Sequence, residues 1–203
     1  MIKLGVSAFY HDSAACITQG NNVLVAAEEE RFTGIKHDNS FPVNAIKWAL
    51  HASSKTITDI QEVHWYENPE TKNNRVNTIF NKRPFKTFFL RQRYKKDRKD
   101  NSPENLLKAM GYTGKIIYHD HHHSHAAFSY FTSPYQNSAI LTIDGVGEWE
   151  TTTISIGDGK EIKKLLTIDY PNSLGMLYST ITSFLGFRPN EGEYKVMGLA
   201  PYG

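Results

Sequence analysis

The segment IKLGVSAFYHDSAACITQGNNVLVAAE, residues 2–28, has the pattern of a β-hairpin meander. Short apolar runs predict strands at residues 2–7, 14–18 and 23–28. The turn YHDS separates the first two strands, and Gly20-Asn21-Asn22 is a hairpin signal between the second and the third. An antiparallel start to the sheet is therefore expected.

A second meander begins at AILTIDGVGEWETT, residues 139–152. Its strands are predicted at residues 139–144, 151–157 and 165–170. In each meander an acid lies in a turn of glycine or small residues, Asp12 in the first and Asp144 in the second. Single strands are expected elsewhere at residues 62–66 and 115–119, and helices at 44–52, 104–110, 124–131 and 173–185. This mixture indicates an α/β fold.

Histidine is concentrated in YHDHHHSHAAFSYF, residues 118–131, where five of the nine histidines fall within seven residues. A helix places residues four apart on one face, so His121 and His125 can aim two imidazoles at one ion. Asp144, at the end of an apolar strand, can supply a third ligand. Imidazole and carboxylate together suit iron, zinc or manganese better than magnesium or calcium. The alternative for Asp144 is a turn residue before glycine.

The bulk composition is that of a globular protein: 203 residues, net charge +2 and a single cysteine, Cys16. One cysteine excludes an intramolecular disulfide and fits a reducing compartment. No apolar run is long enough to cross a bilayer, and the N-terminus lacks a signal-peptide pattern. We therefore expect a soluble, cytoplasmic protein without a membrane partner.

The positive charge is concentrated in residues 72–99, which hold eleven Lys or Arg against one acid, Asp97. Aromatic side chains interleave with these charges, namely Phe80, Phe85, Phe88, Phe89 and Tyr94. Such a segment can bind nucleic acid. The interpretation we favour is a solvated basic insertion, because no nucleic-acid-binding motif accompanies it.

Five blocks in order resemble the amino-terminal region of the NodU/CmcH-type O-carbamoyltransferases: GVSAFYHDSAACI, AAEEERFTGIKHD, HHHSHAAFSYF, LTIDGVGEWETT and GEYKVMGLAPYG. Only the basic segment lies outside this resemblance. Five ordered blocks are far more specific than any single short motif.

The resemblance implies a lobe of the actin-like ATPase fold shared by sugar kinases, Hsp70 and ribonuclease H, with mixed five-stranded sheets and flanking helices. Residues 1–203 would be the amino-terminal part of a Kae1-like domain, with the second lobe and a YrdC-like domain expected downstream. The implied reaction moves a carbamoyl group from carbamoyl phosphate, through carbamoyl-adenylate made with ATP, to a hydroxyl of a sugar, antibiotic or lipo-oligosaccharide in a biosynthetic process.

By position, the resemblance places metal ligands at His121, His125 and Asp144, and iron is the usual metal of the family. It places a catalytic histidine at His11 and a lysine near the carbamoyl group at Lys36. A further metal aspartate is expected beyond residue 203. In isolation His11 would be a capping or surface residue and Lys36 a solvated loop charge.

Both ATP and carbamoyl phosphate are polyanions, so backbone N–H groups in small-residue turns can approach their phosphates. Gly145 and Gly147 form one such turn, and Asp12 and Ser13 belong to its counterpart in the first hairpin. His11 suits a general base because histidine titrates near neutrality. Lys36 suits an electrostatic clamp, with Arg31 in the same charged loop as a second candidate.

Two other functions remain open. One is a Kae1-like threonylcarbamoyl transferase acting on tRNA, which the basic segment favours. The other is a non-catalytic metal- and nucleotide-binding module that serves a partner chain. Dependence on carbamoyl phosphate rather than threonylcarbamoyl-adenylate would separate the O-carbamoyltransferase from the tRNA enzyme. A gene that continues into the second lobe and a YrdC-like domain would exclude the binding module.

Overall fold

The computed structural model describes residues 1–82, 89–96 and 101–203. They divide into two compact units. The first comprises Met1–Tyr66 and Val76–His119, and the second comprises Glu67–Arg75 and Asp120–Gly203. The predictions made for Phe85 and Phe88 lie outside the described residues.

The first unit is built on a five-stranded mixed sheet. Its strands are β1 (Ile2–Ser7), β2 (Ala14–Gln19), β3 (Asn22–Glu28), β4 (Glu62–Trp65) and β5 (Lys115–Tyr118). The order is β3-β2-β1-β4-β5, in which β1 to β3 are antiparallel and β4 and β5 run parallel to β1. The predicted hairpin meander and a mixed five-stranded sheet are confirmed.

Helices flank this sheet, as the α/β prediction requires. They include α1 (Glu30–Thr33) and α2 (Val43–Ala52). The chain then forms α3 (Pro69–Lys82), whose first residues belong to the second unit, and α4 (Pro103–Ala109), whose Leu107 lies in the core of the first unit. Residues 89–96 are also helical, so the described part of the basic segment is largely helix. Ile46 and Ala49 of α2 lie in one buried core cluster with Leu4, Ile17 and Trp65 of the sheet.

The N-terminus of α2 is capped by a side chain from outside that helix. Glu29, only 2% exposed, accepts hydrogen bonds from the backbone N–H of Asn44 at 3.2 Å and of Ala45 at 2.8 Å. A carboxylate at this end of a helix satisfies unpaired donors and complements the helix dipole. The charged loop after β3 is thereby tied to α2.

The second unit contains an antiparallel sheet of β6 (Asn137–Ile143), β7 (Glu150–Asp158) and β8 (Glu161–Asp169). Its helices are α5 (His121–Phe131), α6 (Leu174–Phe184) and α7 (Glu193–Leu199). The resemblance predicts more than one five-stranded sheet. This prediction is wrong for the second sheet, which has three strands among the described residues. After β8 the chain forms helices rather than further strands.

Two predicted boundaries in this unit are also wrong. The helix α5 begins at His121, three residues before the predicted start at residue 124, because its N-terminus is capped from a distant part of the chain. The strand β8 begins at Glu161 rather than at residue 165, because pairing with β7 extends it through the charged residues EIKK. In both places a tertiary contact overrides the local pattern.

Across the described ranges, none of the helices has the length and apolar character that a bilayer span requires.

Candidate functional site

Two histidines of α5 and the aspartate after β6 converge in the second unit. The Nε2 atom of His121 lies 2.5 Å from Oδ2 of Asp144 and 3.1 Å from Nε2 of His125. The remaining pair, His125 Nε2 and Asp144 Oδ2, is 3.6 Å apart. The structure therefore brings together the three residues that the sequence selected as metal ligands, and they form one of two such clusters in the described part of the chain.

Hydrogen bonds alone do not account for this convergence. Nε2 of His121 carries at most one hydrogen, so it cannot both donate to Asp144 at 2.5 Å and accept from His125 at 3.1 Å. Burial alone would raise the pKa of Asp144, but hydrogen bonds from His121 and His125 outweigh burial and hold that pKa well below its ordinary range. A cation that receives all three lone pairs satisfies the whole set, and two imidazoles with one carboxylate fit iron, zinc or manganese.

The position of His121 is set by Glu148, a buried residue of the loop between β6 and β7. Its two carboxylate oxygens each accept from the backbone N–H of His121 at 3.1 Å. One of them also accepts from the backbone N–H of Asn68 at 2.6 Å. Because the N-cap residue Asp120 makes no side-chain cap, Glu148 supplies the missing acceptor at the start of α5.

Two residues of the N-terminus of α6 hold the Asp144 turn. The hydroxyl of Ser173 donates to the carbonyls of Asp144 at 3.2 Å and Gly145 at 2.7 Å. A Cβ added at Gly175 would lie 2.5 Å from the carbonyl oxygen of Asp144. Sequence reasoning missed both residues; only the helix-start pattern at Ser173 pointed to this region, and nothing local linked it to Asp144.

The close approach of α5 also depends on a glycine in the turn. A Cβ at Gly147 would lie 3.0 Å from Cβ of His121 and 3.1 Å from a ring carbon of His122. The glycine pattern of this turn is therefore explained by packing against the histidines.

The backbone donors of the predicted phosphate-binding turn have partners within the turn. The N–H of Gly145 donates to Oδ1 of Asp144 at 2.6 Å, and the N–H of Gly147 donates to the carbonyl of Glu150 at 2.9 Å. Both backbone donors are thus used within the turn. The glycines thus shape the carboxylate site, and their binding of a phosphate stays a prediction.

Next to His121, His122 is held in a directed chain of hydrogen bonds. Its Nε2–H donates to the carbonyl of Glu150 at 2.9 Å, so its Nδ1 accepts from the hydroxyl of Thr142 at 2.6 Å. Thr142 in turn accepts from Thr153 at 2.7 Å. Burial lowers the pKa of His122 and favours this neutral form. His122 is 1% exposed and is a packing residue, which leaves it no access to a phosphate.

Part of the basic segment belongs to this site. Arg75 is buried, and its guanidinium donates to the carbonyls of Glu148 and, at 3.2 Å, of Gly147. The ammonium group of Lys72 pairs with Glu67 at 2.8 Å. The expectation of a solvated insertion is wrong for Arg75, because the loop carbonyls provide acceptors for its charge.

In the first unit, the turn between β1 and β2 places His11 beside a carboxylate. Nδ1 of His11 lies 2.7 Å from Oδ2 of Asp12, and Nδ1 of His37 lies 2.9 Å from the other oxygen, Oδ1. Burial alone would raise the pKa of Asp12, but the hydrogen bonds from His37 and His11 outweigh it and hold the pKa below its ordinary value. The carboxylate is therefore ionised between two imidazoles.

The remaining site residues predicted in this unit are Lys36, Arg31 and Ser13. Lys36 is exposed and directly precedes His37 in the loop. Arg31 is exposed on the wall of a cavity of about 660 Å³ that includes Phe32 and Trp48. Ser13 is fully buried, and its N–H donates to the carbonyl of Asp38 at 2.8 Å. Its side chain thus lies away from the surface that a phosphate would reach.

Comparison with known proteins decides the family. The carbamoyltransferase N-terminus family matches residues 2–203, a range that includes the basic segment. The chain belongs to this family. A nodulation protein NolNO of Sinorhizobium fredii is 33% identical to this chain over 97% of the chain and 28% of its own length. The resemblance drawn from the five sequence blocks is confirmed.

Two further relatives are also longer than this chain. An uncharacterized protein of Synechocystis is 38% identical over 98% of the chain and 34% of its own length. An uncharacterized protein of Methanocaldococcus jannaschii is 26% identical over 95% of the chain and 32% of its own length. The chain therefore spans about a third of the length of the curated relatives it matches.

Proposed function

We propose that this chain serves an ATP- and metal-dependent O-carbamoyltransferase. The observation that carries the proposal is the convergence of His121, His125 and Asp144 in a chain of the carbamoyltransferase N-terminus family. The finer fold assignment, an actin-like ATPase lobe completed by a second lobe and a YrdC-like domain, is part of the same proposal. ATP and carbamoyl phosphate are cytoplasmic metabolites, so the reaction is placed there.

The proposed chemistry has two stages. Carbamoyl phosphate is first hydrolysed to carbamate and phosphate, and an oxygen of carbamate then attacks the α-phosphorus of ATP and expels pyrophosphate. In the second stage the oxygen of an acceptor alcohol attacks the carbonyl carbon of carbamoyl-adenylate. The bond to AMP breaks, the alcohol proton passes to a base, and a carbamate ester remains.

The first unit supplies the groups for the second stage. Nε2 of His11 takes the proton of the acceptor alcohol, for which its exposed imidazole is suited. The charge of Lys36 stabilises the developing negative charge on the carbamoyl oxygen or the leaving group. Arg31, on the wall of the cavity with Phe32 and Trp48, is a second cation for an anionic substrate.

The second unit supplies the metal ligands His121, His125 and Asp144. Their donor set fits iron, and zinc or manganese as alternatives. When bound there, a divalent ion neutralises charge on phosphate oxygens. The protein's own contribution is to hold the two imidazoles on one face of α5 and to orient the Asp144 carboxylate through the Gly145 N–H.

The test is release of pyrophosphate from ATP by the complete protein of the gene, with and without carbamoyl phosphate. Release that depends on carbamoyl phosphate and is lost in the His121→Ala/His125→Ala variant supports adenylate formation that needs this centre. The matched control is His123→Ala, which removes an exposed histidine from the same helix. No release from the folded, metal-loaded protein would refute the proposal.

A further inference from the structure

Both oxygens of the Asp12 carboxylate are engaged by histidine, in a turn whose function the metal centre does not explain. The contacts are 2.7 Å to Nδ1 of His11 and 2.9 Å to Nδ1 of His37. The pKa of Asp12 lies below its ordinary value, so this group is a charged acceptor without a hydrogen of its own. Both Nδ1 atoms must therefore be the donors.

This arrangement determines the tautomer of His11. A neutral imidazole has one ring hydrogen, and in His11 it is on Nδ1, where Asp12 accepts it. The lone pair of the ring is then on Nε2, which is the atom that the proposed reaction needs as a base. A carboxylate that holds a histidine in this way also stabilises the imidazolium formed when the base accepts a proton.

The backbone of the turn is built to keep Asp12 in place. Phe9, Asp12 and His37 have positive φ angles of 73°, 49° and 57°, a region in which aspartate and histidine occur more readily than most residues. The N–H of Phe9 donates to the carbonyl of Asn39 at 2.9 Å, and the N–H of Ser13 donates to that of Asp38 at 2.8 Å. The turn after β1 is thus bound to the loop that carries Lys36 and His37.

We propose that Asp12 is a positioning residue that holds His11 with Nε2 free as the base and, through His37, fixes the loop that carries Lys36. The part that concerns catalysis rests on the proposed function of His11 and Lys36. Asp12 thereby links two residues that are 26 positions apart in the chain, the base His11 and the neighbour of the clamp, His37. The role replaces the substrate contact that sequence reasoning assigned to Asp12.

The direct test is ¹⁵N NMR of the protein labelled at its histidine ring nitrogens, recorded over a range of pH so that the neutral rings are observed. The His11→Gln and His37→Gln variants assign the signals. In the wild type the neutral form of His11 should carry its hydrogen on Nδ1. In Asp12→Asn this preference should be lost, because an amide can donate to Nδ1. A wild-type ring with hydrogen on Nε2, or an unchanged ring in Asp12→Asn, would overturn the proposal.

A matched variant separates the carboxylate of Asp12 from its neighbours. Glu30 accepts the backbone N–H of His37 at 2.9 Å, and Glu30→Gln makes the same carboxylate-to-amide change. It should leave the His11 tautomer intact. Asp12, Glu30 and His37 also lie close enough to bind an ion. If zinc alone shifts the His37 signals of the wild type and not of Asp12→Asn, a metal site replaces the hydrogen-bonding role.

The kinetic test uses the complete protein with carbamoyl phosphate, ATP and an acceptor alcohol. Asp12→Asn should lower kcat by roughly 100-fold or more with little change in KM, as expected when a base loses its tautomer. If the wild type shows the Nδ1–H tautomer but no carbamoyl transfer, the proposed function fails while the positioning of His11 stands. An Asp12→Asn variant with the kcat of the wild type would overturn the proposed part that Asp12 plays in catalysis.

Discussion

The carboxylate of Glu148 accepts the backbone N–H of His121 with both oxygens, at 3.1 Å each. The contact spans 27 residues and joins the loop after β6 to the first turn of α5. It fixes where the helix starts and hence the direction in which His121 and His125 point.

Replacing this carboxylate by an amide should weaken metal binding. In Glu148→Gln one oxygen becomes an NH₂ group that faces the His121 N–H, so the helix start is no longer held. We expect the dissociation constant for zinc to rise by roughly 10-fold, typical of losing a residue that orients a ligand. Calorimetric titration of the apoprotein measures this. Glu161→Gln, on the exposed start of β8, is the control and should bind as the wild type does; equal affinities in both variants would contradict the expectation.

The glycine of α6 that faces Asp144 should not tolerate a methyl group. Gly175→Ala would place Cβ 2.5 Å from a backbone oxygen, and the turn would have to move. We expect the free energy of unfolding to fall by about 1–3 kcal/mol. A Cβ added at Gly198, in α7, would lie more than 4 Å from every described residue outside its own helix, so Gly198→Ala should stabilise by about 0.5–1 kcal/mol. Urea unfolding measures the free energy of unfolding of the two variants. An unchanged free energy of unfolding in Gly175→Ala would refute the packing argument.

Breaking the hydrogen-bond chain behind His122 should destabilise the second unit. Thr142→Val removes the hydroxyl that donates to Nδ1 of His122 and accepts from Thr153, leaving two buried groups unsatisfied. The expected loss is about 1–3 kcal/mol. Thr167→Val, on the exposed side of β8, keeps the same change of shape without a buried partner and should have little effect. Thermal unfolding followed by circular dichroism compares them.

The pair His64 and His119 should make stability depend on pH. Nδ1 of His64 lies 2.8 Å from Nε2 of His119, and its Nε2 lies 3.3 Å from Glu62. Burial lowers the pKa of His64, and the nearby Lys3 and Lys115 act in the same direction, against Glu62. Because the unfolded chain binds the proton first, this stabilisation is complete above pH ~6.5 and decreases as the pH falls below it.

Denaturant unfolding between neutral and mildly acidic pH tests this sign. In His64→Gln, an amide that does not titrate, the decrease in unfolding free energy on acidification should be smaller than in the wild type. His51→Gln removes an exposed histidine of α2 and should follow the wild type. A steeper decrease in His64→Gln would show that the sign is wrong.

Local patterns predicted those parts of the fold whose causes are local. The hairpin signal at Gly20-Asn21-Asn22 lies where β2 turns into β3, and Ser102-Pro103 opens α4 with the Ser102 hydroxyl accepting from the N–H of Asn105. The spacing of His121 and His125 predicted a shared face because helical geometry requires it. The structure brings these two side chains together with Asp144, as that spacing and the strand-end position suggested.

The features that sequence reasoning missed depend on distant partners. The early start of α5 needs Glu148, and the shape of the Asp144 turn needs Ser173 and Gly175. The burial of Arg75 could not be inferred from a segment that looks uniformly basic, because its acceptors are carbonyls more than 70 residues away. No local period or spacing encodes such contacts.

The hydrogen bonds that join the His11 turn to the Lys36 loop have a practical consequence for protein engineering. They lie at the end of β2 and β3 where Ala14 pairs with Glu28. The hairpin tip follows the opposite end, where Gln19 pairs with Asn22. Five strand steps separate the two ends, or roughly 17 Å. Gly20, Asn21 and Asn22 are exposed, and exposed loop tips are tolerant sites for inserted sequence. A fluorophore or an affinity tag placed at that tip should report on the protein while leaving the turn of His11 undisturbed.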